Sequence, residues 1–229
     1  MTKQFWTTGL ILWLACLVGS LAAIPYVLYM LHISPEAKVL PLLLQSGVLY
    51  GIASFAGLYF AQNIRLNIWP NKQSVIIGIG TGIGVGIALL AIELILKASG
   101  VSIIIGMPPA WQYRLLAVIY GAINEEVLLR LLLMSFIVWI LQKVTQSARD
   151  WTYWSGIVVV AVLFGVGHIP GVKAITTITP AVLAQILILN GIAGVIFGYL
   201  YWKYNLVSAM LAHGAADIIL HVLGVLLLF

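Results

Sequence analysis

The sequence predicts an all-α, polytopic membrane helix bundle of about seven transmembrane helices. Of 229 residues, 63% are hydrophobic and only 7% are charged, whereas soluble globules use about 25% charged residues. The mean hydropathy is +1.13. Seven apolar segments each approach or exceed the length a crossing needs, roughly 17 to 25 residues.

In order, these segments run Leu10 to Leu31, Leu40 to Ala61, Val75 to Leu96, Trp111 to Leu141, Trp151 to His168, Ala181 to Trp202 and Leu206 to Phe229. The first follows Lys3, is longer than a signal-peptide core and has no small-residue cleavage site, so it is expected to be retained as a membrane helix. It holds Cys16, the single cysteine, which excludes a disulfide framework and a Cys-based metal site and reads as a small packing or lipid-facing residue. The third contains GIGTGIGVG, where Gly78, Gly82 and Gly86 form overlapping GxxxG steps. No nucleotide-binding pattern is completed there, so the run predicts close helix packing. Glu93 and Lys97, four apart near its end, read as an interfacial pair. The fourth segment is over-long and leaves room for an eighth, re-entrant element.

Turn chemistry separates the segments at Ser34-Pro35, Trp69-Pro70-Asn71, Pro108-Pro109, Ser147 to Asp150, Pro170-Gly171 and Thr179-Pro180. Trp69, Trp111, Tyr113, Trp151, Tyr153, Trp154, Tyr199, Tyr201, Trp202 and Tyr204 cluster near segment ends, as an aromatic belt does. The net charge of +5 comes from basic residues scattered singly between apolar runs, which excludes a nucleic-acid patch. With the N-terminus inside, the inner loops collect Lys3, Arg65, Lys72, Lys143, Arg149 and Lys203, against Lys38, Lys97, Arg114 and Lys173 outside. One domain, residues 1–229, is the economical division.

The polar residues inside these segments carry the functional signal. In YGAINEEVLLRLL, from Tyr120 to Leu132, Glu125, Glu126 and Arg130 interrupt an apolar run, and each charge at bilayer depth costs roughly 2.5 to 3.5 kcal/mol. Glu126 and Arg130 are four apart and pair on one face, with the glutamate in the favoured N-terminal position. Glu125 is left without a local cation, a setting suited to general-base work. The fifth segment closes on Phe164-Gly-Val-Gly-His168, where Phe164 packs under the imidazole. The seventh contains His213-Gly-Ala-Ala-Asp217, whose ends share a face so that the carboxylate orients the imidazole or shares a water with it. His221, one turn on, reads as structural. Burying three polar clusters apart would repeat the desolvation cost, so they are expected to converge on one wet cavity among the helices of the C-terminal half. Counted from the inner face at about 1.5 Å per residue, His213 lies roughly 10 Å deep and His168 roughly 25 Å. A bent or broken fifth helix at Gly165, Gly167, Pro170 and Gly171 would bring them level.

EEVLLR, FGVGH and HGAAD resemble the EExxxR, FxxxH and HxxxN/D motifs of the CAAX prenyl endopeptidase and bacteriocin-processing (Abi-type) family of intramembrane glutamic proteases. The likeness covers roughly Tyr113 to Leu220, a protease-like core at 113–220. It implies a membrane endopeptidase without a covalent nucleophile, acting near the C-terminus of a lipidated or membrane-bound peptide. Glu125 and His168 would activate a water, and His213 with Asp217 would stabilise the oxyanion, supported by Glu126, Arg130 and Phe164. An ionised Asp217, standing where the prenyl-processing branch has Asn, accepts hydrogen bonds and donates none. It is then either protonated or the residue that orients His213.

The expected partners are membrane lipid and a peptide or prenylated-peptide substrate, with no nucleic acid and no cofactor. Zinc is the alternative, since both histidines and the carboxylates are legitimate ligands, but HExxH is absent. The membrane would be the plasma or inner membrane in a prokaryote and an endoplasmic-reticulum-type membrane in a eukaryote. Two other functions fit the same residues: a catalytically silent scaffold or immunity protein, or a proton-coupled transporter, which would show an internal repeat with paired broken helices.

Overall fold

A computed structural model describes residues 2–31, 35–100 and 111–224. Among them, seven helices are long and apolar enough to cross a membrane. They are α1 (Lys3–Leu31), α2 (Pro35–Asn63), α3 (Lys72–Ala98), α4 (Trp111–Thr145), α5 (Asp150–Lys173), α6 (Pro180–Lys203) and α7 (Leu206–Leu223). The chain is an integral, multi-pass membrane protein of all-helical class. Ser34 of the first turn, the Pro108-Pro109 connection and the end of the seventh segment, 225–229, lie outside the described residues.

The connections start helices in the way their residues dictate. Asn71 caps α3 by accepting from the Ser74 amide at 2.8 Å, and Ser74 Oγ accepts in return from the Asn71 amide at 3.0 Å. Thr179 caps α6 ahead of Pro180, whose missing N–H costs nothing in a first turn. Asn205 caps α7, accepting from the Ser208 amide at 2.9 Å.

Several sequence expectations shift here. α4 is one continuous helical run from Trp111 to Thr145, so the described residues contain no eighth, re-entrant element within it. α5 runs unbroken through Pro170 to Lys173, so Pro170-Gly171 is not a connection. Isolated prolines are tolerated inside membrane helices because local adjustments re-satisfy the freed carbonyls. Glu93 is buried at 3% exposure and accepts a hydrogen bond from Gln185 Nε2 of α6, a contact between helices that its spacing to Lys97 does not foretell. Tyr201 belongs to the core, not to the aromatic belt, with its hydroxyl 2.9 Å from Ser135 Oγ.

Packing then fixes α7, the helix that presents His213. Gly78, Gly82 and Gly86 of α3 lie against the backbone at Ser208, Ala212 and Ala216, with no room for a Cβ at Gly82. Gly80 and Gly84 face open space. At the N-terminal end of α7, the amides of Leu206 and Val207 donate to the carbonyls of Asn67 and Ile68 at 3.1 and 3.2 Å. These bonds satisfy N–H groups that the helix start would otherwise leave orphaned.

Candidate active site

The site is assembled around Glu126. α4 widens from α to π winding over Gly121–Glu125 and Val127–Met134 before returning to α at Ser135, a deviation that often accompanies functional sites. Ser135 Oγ donates to the Arg130 carbonyl at 3.3 Å within this wide stretch. Glu126 Oε1 lies 2.9 Å from Arg130 Nη1 and 2.8 Å from His213 Nδ1, which ties α4 to α7. Arg130 Nη2 donates to the Gly194 carbonyl of α6 at 3.2 Å. Glu126 and Arg130 are wholly buried, and His213 is nearly so. A buried charge persists only when paired and hydrogen-bonded, and these contacts supply both.

Aromatic rings wall this core. The Arg130 guanidinium lies 5.0 Å from the centroid of Phe164 and 5.6 Å from that of Phe197. The His213 ring stacks on Phe197 with centroids 4.9 Å apart and meets Phe164 edge-on at 5.6 Å. Phe164 also meets His168 edge-on at 4.8 Å. One phenyl ring thus touches both imidazoles.

That shared contact places His168 and His213 in the same region without a broken helix. The depth count assumed straight helices rising from one plane, and the contacts of Phe164 do not fit it.

The open side of the cluster is lined by Nε2 of His213, which faces Asp217 Oδ2 at 3.5 Å and Glu125 Oε2 at 3.8 Å. Glu125 is 24% exposed and Asp217 20%, so of the two adjacent glutamates Glu125 is the accessible one. Asp217 does not hold the Nδ1 edge of His213, because Glu126 occupies it. Asp217 lies instead between two imidazoles, with Oδ1 3.8 Å from Nε2 of His221. His168 Nδ1 is 2.8 Å from the Phe164 carbonyl. A carbonyl only accepts, so Nδ1 carries the hydrogen, and in the neutral ring Nε2 is left with a free lone pair.

Sequence reasoning missed Gly121, whose Cβ, if present, would sit 2.8 Å from Asp217 Oδ2 and 3.3 Å from His213 Nε2. A small residue one helical turn before Glu125 was its only signal. It also missed Phe197, the residue under His213, for which an apolar helix gives no signal. Two hollows lie elsewhere, on the flanks of α5 at Trp151, Trp154 and Val158 and of α6 at Leu187, Gly191 and Val195. Neither is lined by a residue of the cluster, whose partly exposed members include Glu125 and Asp217. Among the described residues, no group of three or more His, Cys, Asp or Glu is arranged to hold a metal ion.

Comparison with known proteins agrees with the geometry in where it falls. The family model described as Type II CAAX prenyl endopeptidase Rce1-like matches residues 107–219, about half of the chain, from just before α4 into α7. No match was found among curated proteins or among solved structures. Residues 107–219 are an Rce1-like type II CAAX prenyl endopeptidase domain, and with it the chain belongs to that family of peptidases.

Proposed function

We propose that this protein hydrolyses a peptide bond near the C-terminus of a prenylated, membrane-bound peptide, using a water activated by Glu125 and His168. The observation that carries the reading is the unequal placement of two adjacent glutamates. Glu126 is buried between Arg130 and His213, while Glu125 is exposed to the open side, 3.8 Å from His213 Nε2. One carboxylate is committed to structure and the other is available to a substrate water.

In this reading the water oxygen attacks the scissile carbonyl carbon while its proton passes to the Glu125 carboxylate, with the free Nε2 of His168 accepting the second hydrogen bond. The carbonyl oxygen becomes an oxyanion. His213 donates to Glu126 through Nδ1, and when also protonated at Nε2 it donates to that oxyanion. Preorganised donors of this kind are worth about 2.7 to 4 kcal/mol each. Asp217 holds the Nε2 side of His213 electrostatically and is not itself an oxyanion donor. Glu125 then returns its proton to the amide nitrogen, the C–N bond breaks, the new carboxylic acid gives its proton to the amine, and a carboxylate and an ammonium leave. The reaction is read as metal-free. The prenylated substrate class comes from the family description alone.

Purified protein, washed with chelator and reconstituted in liposomes, tests this with an internally quenched peptide ending in a farnesylated CAAX sequence. Cleavage without added metal, and its loss in His168→Ala, is the expected outcome. Failure to cut the prenylated peptide, or activity that returns only with zinc, contradicts the reading.

A further inference from the structure

Asn124 precedes Glu125 and is wholly buried. Its Nδ2 donates to the Cys16 carbonyl and to Ser20 Oγ of α1, both at 2.9 Å. A Cβ on Gly19 would fall onto Asn124 Oδ1, so a glycine in α1 leaves the room that this side chain fills. One turn earlier, the hydroxyl of Tyr120 lies 2.8 Å from that of Tyr50 in α2. Tyr120 and Asn124 therefore present one polar face of α4 to α1 and α2. The adjoining face, with Gly121 and Glu125, is turned to His213 and Asp217. Helices α1 and α2 lie wholly outside the matched residues 107–219.

We propose that Asn124 is a positioning residue, through which α1 aims Glu125 at the site. The inference rests on the base role proposed for Glu125. Among the described residues, Glu125 has no close hydrogen-bond partner holding it in place; its direction is set by its neighbours on either side. Glu126 is tied to Arg130 and α7, and Asn124 is tied to α1. With both neighbours fixed, the wide turn between them cannot rotate about the helix axis, and the carboxylate stays within reach of His213. Releasing Asn124 frees one of the two anchors. The N-terminal helices thus form a supporting wall of the active site.

The test compares full-length wild type, Asn124→Leu, Ser20→Ala and Glu125→Gln on the same farnesylated quenched peptide, with rates normalised to folded, monodisperse protein. Misplacement of a reacting group by about 1 Å costs on the order of 10²-fold, so kcat of Asn124→Leu is expected to fall on that order with KM unchanged. Ser20→Ala leaves the bond to the Cys16 carbonyl and is expected to show a smaller fall, also in kcat alone. Wild-type kcat in Asn124→Leu, with loss confined to yield or melting temperature, overturns the proposal. Should Asn124→Leu not fold, wild-type kcat in Ser20→Ala overturns it. An active Glu125→Gln removes the base role and this inference with it, whereas an inactive Glu125→Gln beside a fully active Asn124→Leu removes this inference alone.

Discussion

Two polar knots lie about two turns apart on α7. In the first, Asn205 Nδ2 donates to Ser74 Oγ at 2.9 Å, and Ser208 Oγ lies 3.1 Å from the Ser74 carbonyl and 2.9 Å from Asn205 Oδ1. Its members are neutral, buried and all hydrogen-bonded. In the second, Glu126, Arg130 and His213 are as deeply buried, yet among the described residues Glu126 Oε2 and Arg130 Nε have no hydrogen-bond partner, and Glu125 and Asp217 remain partly exposed beside them. The first knot joins helices at the cost of nothing left over. The second retains charge and access that stability alone would eliminate, and that surplus is what the proposed function draws on.

The contrast can be broken from either side. Glu126→Gln strikes the charged knot hardest, because it leaves Arg130 buried without its anion; a loss of about 3 to 5 kcal/mol is expected, read as a steep fall in melting temperature in detergent together with activity. Gly121→Ala should spare folding and obstruct the face of His213 and Asp217, lowering kcat/KM on the order of 10²-fold. In Gly82→Val the added bulk meets the Ala212 backbone; overpacking of about 1 to 3 kcal/mol should appear as lower thermal stability, with residual activity reporting how far α7 has moved. The mildest change is Asn205→Ala, which removes a helix cap worth about 1 kcal/mol. Activity per folded molecule should be retained, and if that variant instead loses turnover while Gly121→Ala keeps it, the functional contrast between the knots is wrong.

Much of the scaffold was legible in the chain because lipid imposes it. A span of adequate length has to be apolar, so seven appear as composition, and Gly78, Gly82 and Gly86 disclose a packing face by their spacing. The Glu126 and Arg130 contact is local, so the four-residue rule finds it. Contacts between helices obey no spacing: nothing in the sequence says that Glu126 also meets His213, that Glu93 meets Gln185, or that Phe197 lies under an imidazole. Depth was misjudged for a related reason. The hydrogen bonds from Leu206 and Val207 to the 64–71 connection and the ring contacts of Phe164 tie the helices across the bundle, and residue counting from loop ends cannot register them.

The central claim is that Glu125 is the acting base, and its most direct test is the single-turnover rate of Glu125→Gln on the farnesylated peptide, measured beside its melting temperature. The account predicts a rate lower by about 10²- to 10⁴-fold in a protein that melts as the wild type does. A wild-type rate in folded Glu125→Gln would contradict it.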